Sequence, residues 1–338
     1  MPAEWAPHEA TWLAWPHERS DWPGKFEPVP HLYCEIVRIL ARHERVRILI
    51  ASELRPAARA LLKKAGAWNE QVSFVTAPTD RSWTRDYCPL FVKDAGGRKT
   101  AVKWRFNGWA KYGNHANDER AGELAARAAG VRPALPVWNG RRVVLEGGAI
   151  DVNGQGLLLT TEECLLSRVQ QRNPGLGREH YEALFDGWLG ASRTIWLNRG
   201  IAGDDTHGHV DDIARFTGPN TVVAAVERDP RDPNFAPLQE NLERLRRARN
   251  LRGKPLRVVP LPMPRPVIYN RQRLPASYAN FYIANEVVLA PVFQDPADLP
   301  ALNTLQKLFP TRQVIGIGCV DLVLGLGALH CMTMQEPS

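Results

Sequence analysis

Residues 146–159 read EGGAIDVNGQGLLL and display the repeating plan of the chain. A polar cluster that begins at Glu146 is followed by an apolar run, a turn at Asn153-Gly154 and a second apolar run at 157–159. Asn-Gly supplies the turn geometry that joins two antiparallel strands. The segment therefore predicts a β-hairpin whose first strand starts at a polar end.

Three further segments follow this plan, and a fifth is completed by the chain termini. Their polar clusters begin near Asp86, His209 and Asn280, with turns at 95–97, 218–220 and near Asn285. The last cluster, Leu329-His330-Cys331, begins a strand that ends the chain, so we expect residues 11–15 at the N-terminus to be its hairpin partner. Hairpins with polar ends thus recur along the whole sequence.

Helical and strand-like patterns lie between the hairpins. Apolar residues recur at helical spacing in 32–39, 117–129, 179–189, 237–249 and 302–309, and short strand-like runs occupy 46–50, 72–75, 194–197, 256–259 and 313–317. Five like units with aligned polar ends predict an α/β fold closed about an axis, with one central site. An ordinary mixed sheet with unrelated hairpins is the alternative. Because no linker divides the chain, we expect one catalytic domain over residues 1–338.

Composition excludes several classes of protein. No apolar run approaches the length of a membrane span, and residues 1–5 lack a secretory signal, so we expect a cytoplasmic protein with no membrane partner. The five widely spaced cysteines fit a reduced compartment. The net charge is +7, but the densest basic cluster, at 244–249, lies on a helical pattern with a separate apolar face. We therefore expect no nucleic-acid partner, and a non-catalytic basic binding protein is an alternative of another class.

Cys331 and the segment around His209 are the sharpest catalytic candidates. Glycines precede Cys331 and would allow a substrate to approach closely. Strand alternation would place His207, His209 and Asp211 on one face. Taken alone, that face could hold a metal, form a solvated acidic loop, or perform acid–base chemistry.

Asp86 and Glu146 complete a set with a common chemistry. A planar guanidinium needs carboxylates that accept its N–H groups in pairs, and its carbon needs a strong nucleophile such as a thiolate. An imidazole must then protonate departing ammonia and deprotonate water. Asp86, Glu146, His209, Asp211 and Cys331 supply one residue for each demand. A metallohydrolase based on His207, His209 and Asp211 is the contrasting interpretation.

Together these motifs resemble the agmatine deiminase family, which is related to bacterial peptidylarginine deiminases. The resemblance covers nearly the whole chain. It is carried by residues 1–5, 8–17, 83–86, 106–109, 146–148, 159–166, 208–211, 276–282 and 330–331. It implies the pentein fold, a five-bladed α/β propeller of repeated ββαβ-like units around a central site.

The resemblance also implies roles for individual residues. Cys331 would form a covalent thiouronium intermediate, and His209 would protonate ammonia and then activate water. The guanidinium would bind Asp86 and Asp211, and Glu146 would support the His209 side. Substrate binding would also involve Asn280 and Trp83. No cofactor or metal is implied, the partner is a small cationic guanidine, and a homodimer is expected. Agmatine would yield N-carbamoylputrescine and ammonia, a step toward putrescine.

Three departures from the family pattern keep other substrates open. The glycine-rich run before the His-Cys pair contains Leu326 and Ala328, and Tyr87-Cys88-Pro89 replaces the usual Thr-Gly-Pro. The connection at 262–269 is short and lacks an acidic insertion found in plant-type members. A more open mouth there would admit peptidylarginine or another guanidine, and amidino transfer to an amine is a related alternative.

Overall fold

The structure is a computed structural model that describes residues 1–338, and it contains five sheets built to one plan. In each sheet an edge strand pairs antiparallel with a central strand, which pairs parallel with a strand reached through a helical crossover. The mixed α/β class predicted from the sequence is confirmed. The sheets remain separate, and no closed sheet forms.

Four of the sheets lie within the body of the sequence. The strands of each sheet are given in the order edge, central and crossover. The first two sheets contain Leu90–Lys93, Lys99–Val102 and Pro133–Ala134, and Asp151–Val152, Leu157–Thr161 and Arg193–Leu197. The next two contain Ala214–Gly218, Thr221–Val226 and Arg257–Pro262, and Tyr282–Ile283, Val287–Val292 and Gln313–Gly318. Most of the central strands are buried on both faces. This explains why their sequences are continuous apolar runs rather than alternating ones.

The fifth sheet joins the two ends of the chain. Met334–Pro337 runs antiparallel to His8–Ala14, with Thr11 opposite Gln335. Arg45–Ile50 and Val72–Thr76 extend this sheet in parallel. The predicted pairing of the N-terminal strand with the C-terminal one is therefore confirmed.

Helices pack on the sheets as crossovers. They span Val29–Leu40, Arg55–Lys64, Ala116–Ala128, Arg178–Leu189, Phe235–Arg247 and Asp298–Leu308, and shorter helices span Thr84–Tyr87 and Glu162–Leu166. The five predicted helices are confirmed, whereas Arg55–Lys64 was not predicted. The longest helices contain 13 residues, whereas a membrane span needs about 20. None of the helices could cross a bilayer.

The polar clusters form tight turns instead of the expected strand starts. Thr84–Tyr87 is one helical turn, Gly147–Ala149 and Val210–Asp212 are short 3-10 helices, and residues 329–332 form a turn. Neighbouring turns pack on one another, at 84–87 with 147–149 and at 147–149 with 210–212. The repeat therefore brings the polar ends of separate sheets together.

The prediction that His207 shares a strand face with His209 and Asp211 is wrong. The Asp204 carboxylate accepts hydrogen bonds from the backbone N–H groups of Thr206, Gly208 and His209 at 2.8, 2.7 and 3.1 Å. These local bonds replace a sheet ladder. His207 adopts a left-handed backbone with φ of 64° and contacts the Ser167 hydroxyl, away from His209.

Candidate active site

Each predicted site residue lies on the turn or loop just before an edge strand. Asp86, Glu146, the His209–Asp211 pair, Asn280 and Cys331 precede the edge strands of five different sheets. The structure brings all of them into one buried cluster, although they are spread over most of the sequence.

Cys331 lies at the centre of this cluster. Its side chain is almost fully buried, at 6% exposure. The Asn280 amide donates to the sulfur at 3.1 Å, and the sulfur lies 3.8 Å from Asp211 Oδ2. Burial, and then the negative charge of nearby carboxylates, led by Asp211, raises the pKa of the thiol well above its usual value. In the free protein the thiol therefore holds its proton until a positive charge enters.

Asn280 secures the nucleophile segment. Its Oδ1 accepts the backbone N–H of His330 at 2.9 Å and that of Cys331 at 3.4 Å. Its Nδ2 also donates to Asp212 at 2.9 Å. The assignment of Asn280 to substrate binding stays a prediction, since every amide contact in the structure is to the nucleophile or its supports.

The His209 imidazole is buried without a hydrogen-bond partner on either nitrogen. Nδ1 faces Asp86 Oδ1 at 3.9 Å and Asp211 Oδ1 at 4.0 Å, while Nε2 faces Glu146 Oε2 at 3.6 Å. Burial lowers the pKa of His209, but the surrounding carboxylates, led by Asp86, raise it well above its usual value. The ring thus carries a proton that it can donate into the cluster.

One carboxylate oxygen of Asp211 is hydrogen-bonded, and the other is not. His330 Nδ1 donates to Oδ2 at 2.7 Å, whereas Oδ1 is buried with no partner. Burial raises the pKa of Asp211, but the hydrogen bond and charge of His330 outweigh it and hold the pKa below its usual value. Asp212 shows the opposite shift, because burial and the adjacent Asp211 charge raise its pKa well above normal. Asp211 is therefore the ionised member of the pair.

Asp86 faces the same space from another sheet. Its Oδ2 accepts the Trp109 indole N–H at 2.9 Å, and its Oδ1 accepts the Gly148 backbone N–H at 3.1 Å. Burial, partly opposed by His209, raises the pKa of Asp86 to about 6. A cation bound beside Asp86 would lower that value and keep the carboxylate charged.

Glu146 supports the far side of the imidazole. Arg172 Nε donates to its two oxygens at 3.1 and 3.3 Å, and both side chains are fully buried. Burial raises the pKa of Glu146, but Arg172 and then His209 bring it down to about 2. Glu146 is therefore a permanent negative charge behind the ring.

Two glycines are required by close packing at the site. A Cβ at position 148 would lie 2.5 Å from His209 Nδ1 and 3.0 Å from Asp86 Oδ1. A Cβ at position 327 would lie 2.9 Å from the Trp83 ring and 3.1 Å from the Cys331 Cβ. The sequence expectation of close backbone approach at these positions is met.

Leu326 keeps the backbone shape that glycine usually provides. Its φ is 67°, in the left-handed region that bulky residues rarely adopt. It ends the short helix Leu322–Gly325 and directs its side chain to the cavity wall. The departure from the glycine-rich family pattern thus places an apolar residue in the cavity wall.

A cavity of about 340 Å³ leads to Cys331 and Asp86. Its walls include Trp83, Trp109 and Tyr112, and aromatic faces of this kind attract cations. The volume lies near the lower end of the range for small-molecule sites. Trp83 lines this cavity, and its contact with substrate stays a prediction.

Several residues that hold the site in place had no predicted role. His330 and Trp109 lay within quoted motifs, yet they contact Asp211 and Asp86 directly. Arg172 carried no visible signal. Cys164, Glu146 and His209 have donor atoms within 4.8 Å of one another, a set of metal-ligating types that spacing did not reveal.

Known proteins resemble this chain over its full length. The family described as Porphyromonas-type peptidyl-arginine deiminase matches residues 1–337. The agmatine deiminase of Stutzerimonas stutzeri is 36% identical, across 100% of this chain and 95% of that protein. The structure of the agmatine deiminase of Enterococcus faecalis has a TM-score of 0.92 at 29% identity, covering 100% of this chain and 95% of that one. An amidinotransferase from Microseira wollei, with a TM-score of 0.55 and 13% identity over 99% and 96% of the chains, shares the fold.

Replacing Gly148 with alanine should displace the His209 ring and reduce activity. The new Cβ would sit 2.5 Å from His209 Nδ1, so the ring must move. We expect kcat/KM to fall by at least about 100-fold, the effect of displacing a catalytic group by about 1 Å. Gly187→Ala is the control, because its Cβ meets nothing within 4 Å. Equal activity of the two variants would show that His209 is not confined as described.

Asp211→Asn should make the Cys331 thiol easier to ionise and at the same time reduce catalysis. Its negative charge contributes to the raised pKa of Cys331, so removing it should lower that pKa. The pH profile of inactivation by iodoacetamide should therefore move to lower pH. In the same variant kcat/KM should fall by about 10²–10³-fold, because a charge-stabilising group is lost.

The exposed Asp229→Asn variant is the control for this shift. Asp229 pairs only with Arg231 on the surface and should change neither measurement. A profile that stays in place in Asp211→Asn, or that moves to higher pH, would contradict the proposed electrostatic coupling.

Proposed function

The chain belongs to the Porphyromonas-type peptidyl-arginine deiminase family, and we propose that it hydrolyses agmatine to N-carbamoylputrescine and ammonia with Cys331 as nucleophile. The observation that carries this proposal is a set of unpartnered buried atoms. Asp211 Oδ1 and both His209 nitrogens lack hydrogen bonds beside the Cys331 sulfur. Buried polar groups without partners are costly, and a planar cation would satisfy Asp211 while leaving the imidazole free to transfer protons.

In the first half-reaction the guanidinium lies between Asp86 and Asp211. Its charge offsets the carboxylates that raise the thiol pKa, so the thiol releases its proton to solvent and becomes a thiolate on binding. The Asn280 N–H at 3.1 Å then stabilises the sulfur anion. The sulfur bonds to the guanidinium carbon, and ammonia departs with a proton from His209 Nδ1, leaving a thiouronium.

In the second half-reaction His209 acts as a base. Having lost its proton, Nδ1 accepts one from a water molecule that attacks the same carbon. The carbon–sulfur bond breaks, the sulfur takes up the remaining proton of that water to regenerate the thiol, and the neutral ureido product leaves. Glu146 stabilises the imidazolium at Nε2 throughout.

The mouth of the cavity favours a small substrate with a second positive charge. The short connection before position 269 forms a hairpin of Ile268–Tyr269 and Gln272–Arg273. The Tyr269 hydroxyl donates to the Pro23 carbonyl at 3.1 Å, so this hairpin covers the mouth rather than opening it. This contact favours agmatine over a peptide.

Asp21 is our candidate for recognition of the agmatine ammonium. It lines the cavity, and one of its oxygens pairs with Arg81. Its other oxygen, Oδ2, is buried with no partner. Burial raises the pKa of Asp21 to about 6 despite Arg81. The carboxylate is therefore charged at neutral pH and loses its charge as the pH falls through 6.

The proposal also includes the extent of the domain, the cellular compartment, the fold and the assembly. The site draws on residues from Glu4 to Cys331, so we treat residues 1–338 as one catalytic domain. We place it in the cytoplasm because the thiol must stay reduced. We also retain the five-bladed propeller, since five sheets share one plan and direct polar turns to one cluster. A homodimer remains our expectation for its assembly.

A substrate panel tests the activity. Agmatine should give N-carbamoylputrescine and ammonia with a kcat/KM at least about 100-fold above that for free arginine or arginyl peptides. The reason is that the Asp21 carboxylate favours an ammonium group over a neutral or acidic group. Cys331→Ala should be inactive with its circular dichroism unchanged, whereas Cys34→Ala should retain activity. Preferred turnover of arginyl peptides would reassign the substrate, and activity in Cys331→Ala would remove the nucleophile.

Asp21→Asn tests recognition of the ammonium. The KM for agmatine should rise by about 10–100-fold, which corresponds to one charge-assisted hydrogen bond, while kcat changes little. In the unmodified protein the KM for agmatine should also rise more than that for butylguanidine as the pH falls below about 6, because Asp86 takes up a proton with either substrate whereas Asp21 matters only for the ammonium. Butylguanidine lacks the ammonium and is the control substrate. An equal KM increase for butylguanidine would show that Asp21 shapes the cavity instead.

A further inference from the structure

We propose that Glu146, Cys164 and His209 form a binding site for a thiophilic divalent cation such as Zn²⁺, and that its occupancy stops catalysis. The donor atoms of the three residues lie within 4.8 Å of one another, and all three side chains are buried. The cluster lies behind the imidazole, on the side away from Asp86 and Asp211. It is thus separate from the cavity that receives the guanidinium.

The spacing suits tetrahedral zinc after a small adjustment. Bonds of about 2.0–2.3 Å from zinc to nitrogen, oxygen and sulfur place neighbouring ligands about 3.3–3.7 Å apart. His209 Nε2 and Glu146 Oε2 are already 3.6 Å apart. The remaining separations, which are at most 4.8 Å, need to close by about 1 Å.

The nitrogen and sulfur donors of the cluster are available, whereas the carboxylate is also bound by Arg172. His209 Nε2 has no hydrogen-bond partner. Cys164 is not in a disulfide, and its backbone is fixed by the Thr161 hydroxyl, which accepts the Cys164 N–H at 3.0 Å. A nitrogen, a sulfur and a carboxylate oxygen form a ligand set that zinc accepts, with a fourth position left for water.

Arg172 provides outer support for the carboxylate ligand. It donates to Glu146 through Nε, and its other nitrogens donate to the carbonyls of Gln170 and Thr206 at 2.9 and 2.5 Å. Ligating carboxylates are commonly held by such donors. On binding, the Cys164 thiol and His209 Nε2 would each release a proton to solvent, so one thiolate and one carboxylate offset the cation.

Occupancy would disable the acid–base residue without touching the nucleophile. A cation on Nε2 fixes the ring and withdraws electron density from it. Nδ1, which faces Asp86 and Asp211, would then hold its proton as a metal-bound imidazole and could no longer exchange it with ammonia and water. The inhibition, unlike the binding, rests on the proposed deiminase activity.

Cobalt spectroscopy on the full reduced chain tests the binding directly. Co²⁺ should bind at one equivalent and give a near-ultraviolet sulfur-to-cobalt absorption band, which Zn²⁺ should abolish by displacement. The band should persist in Cys331→Ser and disappear in both Cys164→Ser and Cys164→Ala. A band that is lost in Cys331→Ser and kept in the Cys164 variants would place the cation on the nucleophile and overturn the proposal.

Inhibition by Zn²⁺ provides the second readout, expressed relative to the rate of each variant. The concentration for half inhibition should rise at least 10-fold in Cys164→Ser, and a chelator should restore the rate of the unmodified protein. An unchanged value in both Cys164 variants would overturn the inhibitory role. If no guanidine is turned over, the proposed function fails while the cobalt result still decides the site.

Discussion

The structure depends on burying several negative charges around one sulfur. Asp211, Asp86 and Glu146 are almost fully removed from water, where an unpaired carboxylate is costly. Fixed partners satisfy part of this charge: His330 hydrogen-bonds to Asp211, and Arg172 forms an ion pair with Glu146. One oxygen of Asp211 is left without a partner. The protein therefore presents a prebuilt anionic site that a positive, planar ligand completes.

This constraint also explains why the chain ends meet. Glu4 accepts from His330 Nε2 at 2.8 Å and from the Ile283 N–H at 2.8 Å, and it pairs with Arg215 at 2.9 Å. Both ring nitrogens of His330 lie within hydrogen-bond distance of carboxylates, so the ring bridges Glu4 and Asp211. The sheet formed by His8–Ala14 and Met334–Pro337 holds these residues together. The pairing of the two terminal strands therefore helps to position Asp211, the carboxylate beside Cys331.

The hairpins, the helices and the site set were predictable because each has a local signal. Asn153-Gly154 marks a turn, and the apolar spacing at 237–249 marks a helix. The turn around His209 was not predictable from apolar periodicity. The Asp204 side chain accepts hydrogen bonds from the backbone of Gly208 and His209, and these bonds replace strand pairing there. Arg172 and Cys164 were missed for a different reason. Their importance arises from long-range packing against Glu146 and His209, and neither residue type has a distinctive spacing.

A crystal structure of the Cys331→Ser variant with agmatine tests the central claim most directly. The account predicts the guanidinium between Asp86 and Asp211, with one of its nitrogens about 3 Å from Asp211 Oδ1 and its carbon facing residue 331. His209 Nδ1 should point toward a nitrogen that becomes ammonia. A guanidinium that binds elsewhere in the cavity, with Asp211 Oδ1 still unpartnered, would contradict it.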